Sequence, residues 1–126
     1  FPTRRSSDLT PWLPVADTHV ARNVATQFAD PASTLNQYRR FLRWRAGQPA
    51  LIDGDIRFLD SAEPVLAFTR SRDQQALLCV FNLSAEAQSF TLPEASFRVV
   101  EDAPFAPPIR DADTITLPAF GACFLR

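Results

Sequence analysis

Val65-Leu66-Ala67-Phe68-Thr69-Arg70-Ser71-Arg72-Asp73-Gln74-Gln75-Ala76-Leu77-Leu78-Cys79-Val80-Phe81 is the stretch that sets the architecture. Two apolar runs flank the polar connection Ser71-Arg72-Asp73-Gln74-Gln75, the pattern of an antiparallel hairpin. Ala76 to Phe81 contains no polar residue, so its strand is expected to be central and covered on both faces. Outward from this hairpin, further short β-rich runs alternate with turn residues. The expected strands are residues 56–59, 65–70, 76–83, 88–92, 97–101, 114–117 and 122–125. Seven short strands at this spacing predict an antiparallel sandwich. Ala103-Pro104-Phe105-Ala106-Pro107-Pro108 has too many prolines for a central strand and reads as a loop or edge crossing.

Upstream of residue 50 the period changes. Pro11 and Pro14 forbid a helix around Trp12 and predict an extended segment over residues 10–15. Val20, Val24 and Phe28 recur every four residues and predict one short helix over 20–28. A clearer helix follows, with Asp30 as N-cap and Pro31 at its first position. Leu35, Tyr38, Phe41 and Leu42 lie at three- and four-residue steps along it. Gly47 is the expected stop, and Pro49 forbids continuation. Arg39, Arg40, Arg43 and Arg45 make the helix basic; Arg43 and Arg45 also offset the negative end of its dipole. A solvated face explains this cluster, with a binding patch as the alternative. A helical stretch running into a strand-only module is the pattern of two joined domains.

The chain has 126 residues, 46% apolar and 21% charged, which is globular composition with room for one modest core. Its formal net charge is −1, so no nucleic-acid or anionic-membrane partner is expected. No run approaches the roughly 20 apolar residues of a membrane helix. All 13 basic residues are Arg, and Ala and Pro are abundant, a composition that suggests a GC-rich bacterial source. There is no Met, so the chain is expected to begin inside a longer reading frame. Residues 1–9, Phe-Pro-Thr-Arg-Arg-Ser-Ser-Asp-Leu, resemble one frame of a DNA-sequencing adapter and are left out of fold reasoning; a disordered basic arm is the alternative. The compartment stays open, with cytoplasm preferred over periplasm.

The chemistry-bearing residues are few. Cys79 and Cys123 sit in apolar runs and are expected to be buried free thiols; whether they lie close enough for a disulfide is open. Two Cys and one His without ligand spacing predict no metal site. Asp53 and Asp55 flank Gly54 in an expected turn, where like charges two residues apart could perturb each other; turn chemistry accounts for them better. Asp111 and Asp113 fall in an expected solvated polar loop. His19 has no nucleophile or carboxylate placed beside it by any motif. Ser33 falls in a first helical turn, where its hydroxyl can serve free N–H groups. Trp12, Tyr38 and Trp44 could stack on sugars, though packing is the commoner use of such rings.

One set of residues carries a family resemblance. It comprises Pro11-Trp12-Leu13-Pro14-Val15, Asn23-Val24, Gln27, Asp30-Pro31-x-Ser33, Leu35, Tyr38-Arg39-Arg40-x-Leu42-x-x-Arg45, Pro49-Ala50-Leu51 and Gly54-Asp55. Together with Val65 to Arg70, Leu77 to Ser84 and Leu117-Pro118-Ala119-Phe120-Gly121, it resembles the C-terminal part of glycoside hydrolase family 13, in its α-glucosidase and oligo-1,6-glucosidase group. The resemblance covers the chain from Thr10 onward. The implied fold is α+β as a fragment: the last helices of a (β/α)8 barrel over residues 10–50, then an antiparallel β-sandwich over 51–126.

The resemblance also implies a function for the parent enzyme. Such enzymes cleave α-glucosidic bonds with retention, using an Asp nucleophile, a Glu acid/base and a further Asp. Retention needs two carboxyls roughly 5–5.5 Å apart. The family places these residues upstream of Pro11, so no catalytic, substrate-binding, metal or cofactor position is expected in this chain. The substrate, an α-glucan or maltooligosaccharide, would meet the missing barrel. Two alternatives remain: a carbohydrate-binding or purely structural sandwich, which in the binding case needs a row of exposed aromatics on one sheet face, and the tail of a trehalose- or sucrose-acting relative. If the helix once lay on a barrel, an exposed apolar patch is expected along Leu35, Phe41, Leu42 or Trp44.

Overall fold

The computed structural model describes residues 13–14 and 16–126, with Val20 described by its backbone alone. Residues 1–9, Trp12 and most of the expected extended segment lie outside the described residues. The elements are α1 (Asp17–Ala21), α2 (Val24–Ala29), α3 (Thr34–Ala46), α4 (Pro49–Asp53), β1 (Asp55–Phe58), β2 (Val65–Arg72), β3 (Gln75–Asn82), β4 (Gln88–Thr91), β5 (Ile109–Asp111), β6 (Thr114–Leu117) and β7 (Ala122–Leu125). They fall into two units, Phe1–Gln37 and Tyr38–Arg126, with α3 continuous from one into the other.

In the larger unit, β2 and β3 pair over their full length, from Val65 opposite Asn82 to Arg72 opposite Gln75. The polar connection is thus a two-residue turn at Asp73-Gln74, tighter than the sequence suggested, with Asp73 at φ 51°. The four-stranded sheet runs β1-β2-β3-β7 and the three-stranded sheet β4-β6-β5, all neighbours antiparallel. Leu78 and Val80 of β3, Cys123 and Leu125 of β7, and Val65 and Ala67 of β2 meet Phe90, Leu92, Ile115 and Leu117 across the sandwich. The alternate residues Leu77, Cys79, Ala122 and Phe124 point the other way, into a second cluster with Ala50 and Leu51 of α4 and the rings of Phe41 and Trp44. The central strand is therefore buried on both faces, as its unbroken apolar run requires.

Several expectations are corrected. Residues 97–101 form no strand: they make one bridge, Val99 to Leu125, and backbone bonds from Arg98 and Val100 to the β7 edge. Asp111 and Asp113 are exposed as expected but not in a free loop: Asp111 ends β5, and Asp113 lies with Ala112, at φ 50°, in the two-residue turn of the β5–β6 hairpin. Pro49 ends α3 but also opens α4, because a proline at the first helical position loses no hydrogen bond. The single helix over 20–28 is two short ones, broken at Arg22-Asn23, and Val24 and Phe28 are exposed. Arg22 is the C-cap of the first, and Asn23 caps the second, its Oδ1 accepting from Thr26 N at 2.9 Å. Asp30 caps only a turn, accepting from Ala32 N. Ser33 is the residue at the head of α3: its carbonyl accepts from Gln37 N and its Oγ from Asn36 N.

Within the smaller unit, side chains from the start of α3 close the end of α2. Asn36 Nδ2 donates to the carbonyls of Gln27, Phe28 and Asp30 at 2.8–3.1 Å. Ser33 Oγ donates to Gln27 O at 2.6 Å. These are the carbonyls that a helix end leaves without intrahelical donors. Along α3, where an exposed apolar patch is expected, Leu42 is exposed and Leu35 is half-buried. Phe41 and Trp44 depart from that expectation: they pack on the sheet's second cluster.

At the far end of β3 one polar side chain holds three segments together. Asn82 is 2% exposed. Its Nδ2 donates to the carbonyls of Glu86 and Pro118, at 2.6 and 2.8 Å, and its Oδ1 accepts from Ser84 N and Oγ.

Two stability predictions follow from this packing. Leu78→Ala should lower the unfolding free energy by about 2–5 kcal/mol in urea titrations, since Leu78 is fully enclosed; Ile109→Ala, at an exposed position, should stay within about 0.5 kcal/mol. Asn82→Ala should cost on the order of 3 kcal/mol, because each dry group that loses its partner costs about 1–3 kcal/mol.

Candidate functional site: the outer sheet face

The carboxylates do not gather into a reacting pair. Asp53 ends α4, exposed and ion-paired with Arg72. Asp55 opens β1 opposite Ser71. Gly54 between them is forced by space: a Cβ there would lie 2.5 Å from Ala50 O and 2.7 Å from Ser71 O. His19 is exposed on α1, Ser33 is engaged at the head of α3, and Tyr38 is exposed. Trp44 stacks at a tilt on Phe124, ring centroids 4.7 Å apart, so it packs rather than presents a platform. Among the described residues no group of three or more His, Cys, Asp or Glu is placed to hold a metal ion, and no helix is long and apolar enough to cross a membrane.

The two thiols are buried and free. Their strands are neighbours, yet the register puts Cys79 opposite Phe124 and Cys123 opposite Val80. Adjacent residues of a strand face opposite ways, so Cys79 enters the outer cluster and Cys123 the sandwich core. The geometry leaves no route to a disulfide within this register. Burial pushes the Cys79 thiol up to about 12, with Arg70 pulling it back and Cys123 adding slightly. Burial pushes Cys123 up to about 11.

A short helix is clamped against the hairpin. Ala50 N donates to Gln75 Oε1 at 2.8 Å, and Gln75 Nε2 donates to the buried Gln48 at 2.9 Å. Arg45 Nη2 reaches Leu51 O at 2.7 Å, and Arg70 Nη2 reaches Gly54 O at 2.8 Å. Of the four arginines that read as a solvated face, Arg45 thus has a specific structural job. Nothing in the local sequence announces this, because Gln75 and Arg70 lie a hairpin away.

The remaining feature is a line of rings across the outer face of the four-stranded sheet. Phe58 of β1, Phe68 of β2, Phe81 of β3 and Phe124 of β7 follow one another at centroid separations of 5.8, 5.7 and 5.8 Å. Phe41 and Phe105 close on Phe124 from α3 and the Pro-rich loop. The β7 end of the line is covered; at the β1 end Phe58 is 64% exposed and Ile56 is 50% exposed. Phe124 is buried and Phe68 and Phe81 are half-buried, whereas among the described residues no element covers Phe58.

The Maltogenic Amylase, C-terminal domain family matches residues 56–124. The chain belongs to this family. That domain is a component of glycoside hydrolase family 13 enzymes, and the resemblance read from the residues is sustained by whole-chain similarity. Over 120 residues, 95% of its length, the chain is 42% identical to a protein named "probable alpha-glucosidase" from Rhizobium meliloti (strain 1021), of which it spans 22%. Among solved structures it resembles the alpha-glucosyl transfer enzyme XgtA, with a TM-score of 0.85 and 36% identity over 91% of this chain and 22% of that one. It also resembles the trehalulose synthase MutB from Pseudomonas mesoacidophila MX-45, with a TM-score of 0.75 and 32% identity over 92% of this chain and 22% of that one. The chain therefore spans about a fifth of the length of these relatives. The antiparallel two-sheet domain following helices is the architecture they share with it.

In this maltogenic-amylase C-terminal domain the thiols yield a pH prediction. Unfolded thiols ionise near 9, whereas the folded ones hold their protons to about 12 and 11. Between those values the native state binds more protons than the unfolded state, so the thiols' contribution is fully present below pH 9 and is lost as pH rises towards 11–12. Urea midpoints should fall over that window, and the fall should be smaller in a Cys79→Ala/Cys123→Ala variant. At pH 8 the native protein should leave both thiols unreactive to a colorimetric disulfide reagent until urea is added.

Proposed function

We propose that this chain is the C-terminal part of a retaining, α-glucosidase-like glycoside hydrolase acting on α-linked gluco-oligosaccharides. Residues 10–50 are assigned to the end of its catalytic barrel and 51–126 to its β domain. The single observation that carries the reading is the 42% identity to an α-glucosidase-named relative along 95% of the chain. The chain itself contributes no catalytic, substrate-binding or metal-binding residue. In support, its carboxylates are used otherwise: Asp53 is tied to Arg72, Asp111 ends β5 and Asp113 sits in the β5–β6 turn. Its role is to build and hold the scaffold end of the enzyme.

A second reading has its own observation. The strong likeness to an alpha-glucosyl transfer enzyme favours a parent that passes the glucosyl group to another sugar instead of water. Both readings share the covalent glycosyl-enzyme step of retention and differ in the acceptor. The autonomous sugar-binding reading is weaker. A stacking platform needs ring faces open side by side, whereas Phe58 meets Phe68 edge-on at 63° and Phe81 meets Phe124 edge-on at 88°.

The test is to express the complete parent gene and this 126-residue chain separately. The parent should hydrolyse maltose or isomaltose with retained anomeric configuration, followed by proton NMR, and the chain alone should show no turnover. Accumulation of longer or isomerised saccharides in place of glucose would favour the transferase reading. Turnover by the chain alone, or a parent without the three upstream carboxylates, would sink the hydrolase reading.

A further inference from the structure

In the three-stranded sheet, strand period puts a charge where an apolar side chain belongs. Arg110 of β5 lies opposite Ile115 of β6, and cross-strand partners face the same side of a sheet. Ile115 is fully buried in the sandwich core. Arg110 therefore stands at a core-facing register position, where it is half-buried. Its guanidinium reaches out along the edge of the sandwich. Nε donates to Ala112 O at 3.0 Å, Nη2 to Ala95 O at 2.9 Å, and Nη1 to Phe97 O. A second guanidinium meets the same carbonyls: Arg98 Nη1 donates to Ala95 O, Ser96 O and Phe97 O at 2.8–3.1 Å. Two cations that share two acceptors lie side by side and repel each other. Among the described residues neither guanidinium is ion-paired with a carboxylate.

We propose that Arg98 and Arg110 form a binding site for phosphate, free or as a phosphomonoester, in the open cleft lined by Ala95, Arg98, Arg110, Ala112 and Asp113. The site is independent of the proposed parentage. The donors left over fit this chemistry. Arg98 uses only Nη1 on the loop. Its Nε–Nη2 edge, the fork that grips an oxyanion bidentately, makes no hydrogen bond among the described residues. Arg110 uses one hydrogen on each Nη and keeps the other. Donors on two separate guanidinium groups call for an acceptor with oxygens on several sides, which phosphate has and a carboxylate lacks. Simpler uses do not explain the pair. Arg110 already holds the carbonyls of Ala95 and Phe97, so a second guanidinium on them adds repulsion. An inward charge deters strand pairing at a sheet edge, but one charge suffices for that. Asp113, exposed on the rim of the cleft, accepts from Thr114 Oγ1 at 3.4 Å and is ion-paired to neither arginine. It lowers the positive potential of the cleft without filling it.

The test is a calorimetric titration of the protein expressed from its complete gene with inorganic phosphate, near neutral pH and at ionic strength held constant with sodium chloride. Phosphate should bind saturably. Arg98→Lys keeps the charge and loses the fork, and should weaken binding on the order of tenfold. Asp113→Asn removes the opposing charge and should tighten it. Arg57→Lys, on β1 of the other sheet and exposed, should leave the affinity unchanged. Acetate at the same ionic strength should not displace phosphate. Absence of a saturating heat, or an Arg98→Lys variant that binds as the native protein does, overturns the proposal. Displacement by acetate as effective as by phosphate itself overturns it too, because charge alone would then account for binding. If Arg98→Lys does not fold, Asp113→Asn decides with both arginines in place: an unchanged affinity overturns the proposal and a tighter one supports it. A parallel titration with glucose 6-phosphate separates the sources. Tighter binding than inorganic phosphate, with the same dependence on Arg98, identifies a phosphomonoester, and equal or weaker binding identifies free phosphate; either supports the site.

Discussion

The β2–β3 ladder is the contact on which the remaining structure depends. Eight residue pairs run from Val65–Asn82 to Arg72–Gln75. They hold β3 so that Leu78 and Val80 face one way and Leu77 and Cys79 the other. A strand with no polar side to offer must be covered twice, and each buried Leu, Val or Phe stabilises by roughly 1.5–3 kcal/mol. One cover is the second sheet, through Phe90, Ile115 and Leu117. The other is a layer of helix, ring and loop. The fold is a three-layer solution to one apolar hairpin.

The two ends of that hairpin are held by different means. At the turn end, Gln75 and Arg70 grip α4 through Ala50 N and Gly54 O, and Gly54 leaves no space for a Cβ. At the open end, the buried Asn82 ties the carbonyls of Glu86 and Pro118 to the strand. Both are polar devices in desolvated places, where a satisfied hydrogen bond specifies geometry and an unmade one is costly. They explain why the connection after β3 and the return into β7 keep the register that puts Cys79 and Cys123 on opposite faces.

Function follows from what this scaffold does not itself complete. This domain carries α4 and the end of α3 on one half of a sheet face and leaves Ile56 and Phe58 exposed on the other. Its carboxylates serve turns and an ion pair. Under the proposed function, the catalytic chemistry lies in the part of the parent outside this chain, and this segment supplies scaffold.

Much of this was legible in the residues. The apolar runs 65–68 and 76–81, the alternation in 114–117, and the prolines at 104, 107 and 108 determine a two-sheet antiparallel domain, because strand period and proline's missing N–H act locally. The family was legible too, since its motif residues stand in order from Pro11 to Gly121. Other features were decided only by tertiary structure. Residues 97–101 look like a strand, yet they meet only the short edge of β7 and form one bridge. Ile109–Asp111 does not look like one, yet β6 offers it a partner. Pro49 reads as a stop and becomes a start because Gln75, 25 residues away in sequence, receives the N–H of Ala50. The apolar rings read as core, but whether a ring is buried depends on what lies over it. Over Phe124 there is a helix, whereas Phe58 is exposed. Periodicity determines which way a side chain points, and only the three-dimensional arrangement decides what it meets there.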